Sequence, residues 1–166
     1  MKKIHLIRHA KSSWEDTSLD DIDRPLNQRG IKASRFMAKH MAKAGCCFDH
    51  VFCSPAVRAQ ATIELISRSL PERDIQWRTD DRLYTFYGEG LLRWFKSFEE
   101  PVSELTIIGH NPALTDLSNI LGDRLIENIP TCGYVQLSLD AACGWHEVSR
   151  YSATVTAFLR PKKLMK

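Results

Sequence analysis

Two histidines and two arginines stand at points in the 166-residue chain where they can act together. Arg8 and His9 follow the apolar run "IHLI", Arg58 follows "CSPAV", and His110 follows "LTIIG". A neutral imidazole is a nucleophile toward phosphorus and splits a hydrolysis into two easier steps through a phosphohistidine. Arginine is always charged, and its planar fork matches phosphate oxygens bidentately, as lysine does not. Phosphoryl transfer asks chiefly for positioning and for stabilisation of charge on three equatorial oxygens. Arg8, Arg58 and a cationic or donating His110 would supply that cradle, with Asn111 and a helix opening at Pro112 adding donors and dipole. Fixed positive charge disfavours the imidazolium form of His9, so the arginines that bind phosphate also keep the nucleophile neutral. Ala10 is small enough for close approach, and Ser12 offers a hydroxyl.

These residues need elements to bring them together. "KIHLIR" (3–8) has the length and content of a strand. The acid-rich loop "EDTSLDDIDRPLNQRG" closes on Gly30, and "IKASRFMAKHMAKAG" has helical spacing with a stop at Gly45. "DHVFCS" reads as a second strand, and Ser54-Pro55 as the start of a helix over "AVRAQATIELISRSL". "IQWRTDDRLY" predicts a third strand with a turn, "GEGLLRWFKSFEE" a helix ending before Pro101, and "ELTIIGH" a fourth strand. "NPALTDLSNILG" repeats a pattern of Asn cap, Pro at the first helical position and Gly stop. "GYVQLSLD" and "SATVTAFLR" alternate like paired strands near a sheet edge. Strands alternating with helices predict a three-layer α/β/α sandwich with a mainly parallel central sheet. Ligand sites in such sheets lie beyond the carboxyl ends of the strands, where Arg8-His9, Ser54 to Arg58 and Gly109-His110 would converge.

Composition narrows the class. The length suits a single domain over 1–166, and 43% hydrophobic with 26% charged residues is ordinary for a globular chain. A net charge of +3 with scattered basic residues argues for neither a nucleic-acid nor a membrane partner. The five cysteines (Cys46, Cys47, Cys53, Cys132, Cys143) are odd in number and lack CxxC spacing, so they read as reduced thiols. With no membrane-length apolar run and no signal-like opening, the expected location is cytoplasmic, and the expected state a monomer. His5, His40, His50 and His146 have no partner motif and read as structural.

"LIRHAKSSW", "RPLNQRG", "CSPAVRAQATIEL", "IIGHNPAL" and "IPTCGYVQL" occur in the order shown by the histidine phosphatase superfamily, and the chain resembles that family from Ile4 to Pro161. The likeness is to its short SixA-type branch, which includes protein phosphohistidine phosphatases. The resemblance implies a phosphoglycerate-mutase-like fold, His9 as the phospho-accepting nucleophile, and Arg8 and Arg58 as phosphate arginines. It implies that His110 contacts the phosphoryl group, and that no metal or organic cofactor is needed. The expected partner is a phosphorylated protein or a small phosphorylated metabolite.

The chain departs from the family pattern at the general acid. Many short relatives carry "LYEA", and this sequence has "LYTF", with Thr85 in place of the carboxylate. Threonine cannot protonate a leaving alkoxide in the same way. Glu89 is a possible substitute, and Asp20, Asp21 and Asp23 are other movable carboxylates in a loop read as mostly solvated. Alternatively no strong acid is needed, because imidazole leaves far more readily than alkoxide. A hydrolase acting through phospho-His9 is the expected function. A mutase needs lid insertions for which this compact chain has little room, and a non-catalytic phosphate-binding domain has no need of a neutral nucleophile.

Overall fold

The run at the amino end forms β1 (Lys2–Arg8), and its side chains alternate between two cores. Ile4 and Leu6 face one, Ile7 the other. The computed structural model describes residues 2–140 and 144–165. Cys143 lies outside the described residues. β2 (Val51–Cys53), β3 (Trp77–Thr79), β4 (Glu104–Gly109), β5 (Tyr134–Leu139) and β6 (Ala153–Leu159) join β1 in one sheet of order β3-β2-β4-β1-β5-β6. β3, β2, β4 and β1 run parallel, and β5 is antiparallel to both of its neighbours. The sheet is thus mainly parallel, with the two tail strands paired at an edge, as their alternation predicts.

Helices cover both faces. α1 (Gln28–Lys43) and α2 (Val57–Ser69) pack on one, α3 (Gly88–Lys96) and α4 (Ala113–Leu121) on the other, and a short α5 (Pro161–Leu164) follows β6. In α1 the buried positions are Gly30, Ser34, Met37, Ala38 and Met41, one stripe at helical period. The core on the Ile4 and Leu6 side sets Leu91, Trp94 and Phe95 of α3 and Leu114, Leu117 and Leu121 of α4 against Ile4, Leu6 and Ile107. This is the three-layer α/β/α arrangement. No helix among the described residues is long and apolar enough to cross a membrane.

Register sets the site. Arg8 pairs with Gly109 and Cys53 with Ile108, so three parallel strands end at one level. The amide of His9 donates to Gly109 O (3.1 Å) and that of Ser54 to Ile108 O (3.1 Å). His9, Ser54 and His110 therefore leave the sheet side by side.

Several boundaries differ from those read in the sequence. α1 opens at Gln28 rather than Ile31, with Asn27 as its cap accepting from the amide of Gly30 (2.8 Å). Gly30 lies inside the first turn because a Cβ there would overlap Lys11 O, so its smallness serves packing of the 9–14 loop rather than a turn. α2 starts at Val57, and Ser54 is released from capping to bond His110. α4 starts at Ala113, where Asn111 Oδ1 accepts from the amide of Thr115 (3.1 Å). The third strand is only Trp77–Thr79, after which Asp80 accepts from Arg82 N and turns the chain. α3 ends at Lys96.

Candidate active site

The three strand ends meet beside a cavity of about 460 Å³. His9 is 7% exposed at its base. Its Nδ1 lies 2.7 Å from Ala10 O, an acceptor only, so Nδ1 carries the proton and donates. Nε2 is then the bare nitrogen, and it accepts from Arg58 Nε at 3.4 Å. Burial, with the charges of Arg58, Arg8 and Arg24 and against the Ala10 hydrogen bond, lowers His9 to about 4. At pH 7 about one molecule in a thousand holds the second proton. The sequence reading credited the arginines with this neutrality; burial is the larger cause.

Arg58 is the hub. From α2 its side chain reaches under the cavity, with Nη1 donating to Asp21 O (2.6 Å) and Nη2 to Asp21 Oδ2 (2.9 Å). Nη2 also lies 3.3 Å from His110 Nδ1. Since guanidinium only donates, Nδ1 of His110 accepts, and its Nε2–H donates to Ser54 Oγ (2.8 Å). Burial, then His9 and Arg58, push His110 down to about 3. At rest the ring is therefore neutral rather than cationic: 1% exposed, it donates through Nε2–H to Ser54 and presents the Nδ1 lone pair to Arg58. The rings of Phe86 and Tyr84 each lie 5.3 Å from its own.

Arg8 donates through Nη1 to Ile129 O (2.9 Å), while its buried Nε makes no hydrogen bond within the protein. An unsatisfied buried guanidinium N–H in a cavity wall is a donor available to an anion. Ser12 lines the cavity, and its Oγ accepts from Arg24 Nη1 (2.7 Å). Asn111 lines it too, but its amide braces Ile129 O, Asn128 and Thr115.

The sequence reading named Asp21 only as a movable carboxylate and gave Arg24 no place in the site, yet both line the cavity. The loop read as mostly solvated brings Arg24 and the still exposed Asp21 to the cavity wall. Arg24 is buried, donates to Ser12 and to Asp21 Oδ1 (3.2 Å), and stacks 3.5 Å from the centroid of the Trp14 ring. Asp21 accepts from Arg58, Arg24 and the Tyr84 hydroxyl (2.5 Å). Burial pushes its carboxyl up, yet the Tyr84 and Arg58 hydrogen bonds and the Arg58 charge hold it at about 2. It is an ionised partner of the arginines, without a proton to give at neutral pH.

The structure does not bring Glu89 to His9. Glu89 and Thr85 line a different cavity, and Phe86 is the residue of that segment lining the His9 cavity. Among the described residues, no group of three or more His, Cys, Asp or Glu could hold a metal ion. Cys46, Cys53 and Cys132 are buried free thiols, pushed up by burial, with Cys132 at about 12. His5 is buried between the Tyr134 hydroxyl (2.6 Å) and Glu104 (2.8 Å).

The depressed imidazoles make stability depend on pH. Unfolded, His9 and His110 titrate near 6.5; folded, they stay neutral to about 4 and about 3. Between those values the unfolded chain binds more protons, so stability is complete above 6.5 and falls as pH drops toward 4. His5, lowered chiefly by burial, acts in the same direction. His9 and His110 each contribute a slope of up to about 1.4 kcal/mol per pH unit. Denaturant unfolding from pH 7 to 4.5 should show this loss, with a smaller slope in His9→Ala. Ring resonances of His9 titrating near 6.5 in the folded protein would contradict it.

Parallel strand ends carrying a neutral histidine among guanidinium groups define a phosphoryl-binding α/β domain. Residues 4–88 match the model of the histidine phosphatase superfamily (branch 1), and the chain belongs to that family. An uncharacterised protein of Mycobacterium tuberculosis is 28% identical over 166 residues, covering 94% of this chain and 100% of its own length. The protein histidine phosphatase SixA, solved with tungstate, superposes with a TM-score of 0.77 at 19% identity, over 98% of this chain and 99% of that one. A mycobacterial glucosyl-3-phosphoglycerate phosphatase, solved with VO3, superposes at 0.64 and 12% identity, over 90% and 96%.

Proposed function

We propose that the protein, working as a single domain, is a phosphatase whose His9 Nε2 takes a phosphoryl group and passes it to water. The observation that carries this reading is the neutral His9 imidazole, its Nδ1 tied to Ala10 O and its Nε2 lone pair bare beside Arg58. In the first step the Nε2 lone pair forms a bond to phosphorus as the bond to the leaving group breaks. In the second, water attacks phospho-His9, the P–N bond breaks, and its electron pair returns to Nε2. Arg58 and the Nε of Arg8 stabilise charge on the equatorial oxygens. An incoming phosphate dianion favours protonation of His110, which then serves as a donor; Asp21 must share or yield Arg58.

The substrate class follows from the leaving group. Two carboxylates line the His9 cavity: Asp21, bonded to the cradle and held ionised, and Glu15, which is exposed on the 12–15 segment; the 85–87 segment contributes an apolar phenylalanine there. An alkoxide needs a proton at the breaking bond, whereas a phosphorylated imidazole protonated on its other nitrogen leaves as a neutral ring. Phosphohistidine on a protein is therefore the favoured substrate, as the name of the SixA neighbour records for that protein. A second reading, a small-molecule phosphomonoesterase, is supported by the cavity volume, which suits a compact phosphate ester. Rates on phosphohistidine, an aryl phosphate and an alkyl phosphate separate them. The alkyl ester is expected to be at least about 100-fold slower than the aryl ester. Equal rates on alkyl phosphate and phosphohistidine would overturn the preference.

A further inference from the structure

A second cavity, of about 740 Å³, opens on the far side of the segment that walls the first. Phe86 faces the His9 cavity, while its chain neighbours Thr85 and Tyr87 line the second. Three consecutive residues thus divide one hollow from the other.

The second cavity gathers apolar surface that a soluble face ordinarily scatters. Tyr87 is 76% exposed, Leu125 85% and Tyr151 71%, and all three line it. Six large hydrophobic side chains are exposed among the described residues, so half of them meet in one place. Single exposed apolar residues need no explanation, but a cluster rimmed by charge marks an interaction surface. The charges are Arg93 and Arg150, with Glu89 and Asp116. None of these four makes an ion pair among the described residues. Arg150 lies 5.8 Å from the centroid of the Tyr151 ring. Arginine and tyrosine in one recess are the residue types that most often dominate protein recognition.

We propose that this cavity docks the polypeptide flanking a phosphohistidine whose phosphoryl group occupies the His9 cavity. The docked segment carries an acidic side chain opposite Arg93 and Arg150 and a large apolar one among Tyr87, Leu125 and Tyr151. The proposal rests on the phosphohistidine reading and adds what selects the protein that bears it. Phe86 lines one cavity and its chain neighbours Thr85 and Tyr87 the other, so an occupant of both reaches across this segment, which an extended chain does. Unpaired charges of both signs beside apolar surface match a polypeptide better than a compact metabolite, which leaves the recess uncovered. Glu89, remote from His9, acquires a place here as part of the charged rim.

The test uses the full chain and a peptide pool randomised at five positions on each side of one chemically phosphorylated histidine. Each arm reaches about 17 Å when extended. Phosphopeptides remaining after partial digestion are read by mass spectrometry at neutral pH, and phosphoimidazole is the small control. The wild type is expected to consume peptides with an acidic and a large apolar residue on one side about ten-fold faster than the pool average. Arg150→Glu and Leu125→Ser should each flatten that preference and leave phosphoimidazole turnover unchanged. Turnover of phosphoimidazole with no peptide preference, or a preference that survives both substitutions, overturns the docking surface alone. No turnover of phosphoimidazole or of any phosphopeptide removes the catalytic reading and the docking proposal with it.

Discussion

His9→Ala is expected to lower turnover of phosphohistidine and of aryl phosphate alike by about 10⁴-fold or more, since a nucleophile is lost rather than a contact. The phosphate site should survive. Arg8, Arg24 and Arg58 are held by Ile129 O, Ser12 and Asp21, none of which depends on the His9 ring. Vanadate should therefore still bind the variant, within about ten-fold of wild type. Wild-type protein mixed with labelled substrate and quenched in base should carry label, released by acid as phosphoramidates are, and His9→Ala should carry none. Turnover that persists in His9→Ala would show that water attacks the substrate directly and would end the phosphoenzyme mechanism.

The second large effect belongs to Arg58. Arg58→Ala should reduce kcat/KM by about 10³-fold on every substrate, because the loss is in charge stabilisation common to all of them. Two further losses accompany it. His9 loses one of the charges that depress its pKa, so the acid limb of the rate profile should move upward. Asp21, still ionised through Tyr84 and Arg24, becomes an uncompensated anion at the phosphate site. Arg58→Ala combined with Asp21→Asn should accordingly regain about ten-fold over Arg58→Ala alone. Arg58→Lys restores the charge but not the fork that spans His9, Asp21 and His110, and should recover only part of the rate. Full activity in Arg58→Lys would mean that the fork geometry is unimportant and that a point charge suffices.

Asp21 gives the cradle a state the sequence did not suggest. A carboxylate sits on the guanidinium that phosphate needs, and it is bonded by Tyr84, a residue 63 positions away. The loop carrying Asp21 and Arg24 is thereby fastened over the site by the charges that phosphate itself would meet. An entering dianion competes with Asp21 for Arg58, while Arg24 is bonded to Ser12 on the other side of the loop.

Much of this protein was determined by its sequence alone. Strand ends, helix periods and the alternating tail are written in windows of a few residues, where apolar spacing and glycine stops act locally. The Arg8-His9, Arg58 and His110 positions follow, because a parallel α/β sheet delivers residues after each strand to one edge. Tertiary structure decided what depends on residues distant along the chain. It buried His110 beside Arg58 and Phe86 and made it neutral, brought Asp21 and Arg24 to the cavity wall, and put Phe86 rather than Thr85 in the His9 cavity. It also gathered Tyr87, Leu125 and Tyr151 into one recess. Loop side chains have no period to reveal their direction. Their orientation is fixed by partners dozens of residues away, and burial, the largest cause lowering both site histidines, exists only once those partners have closed around them.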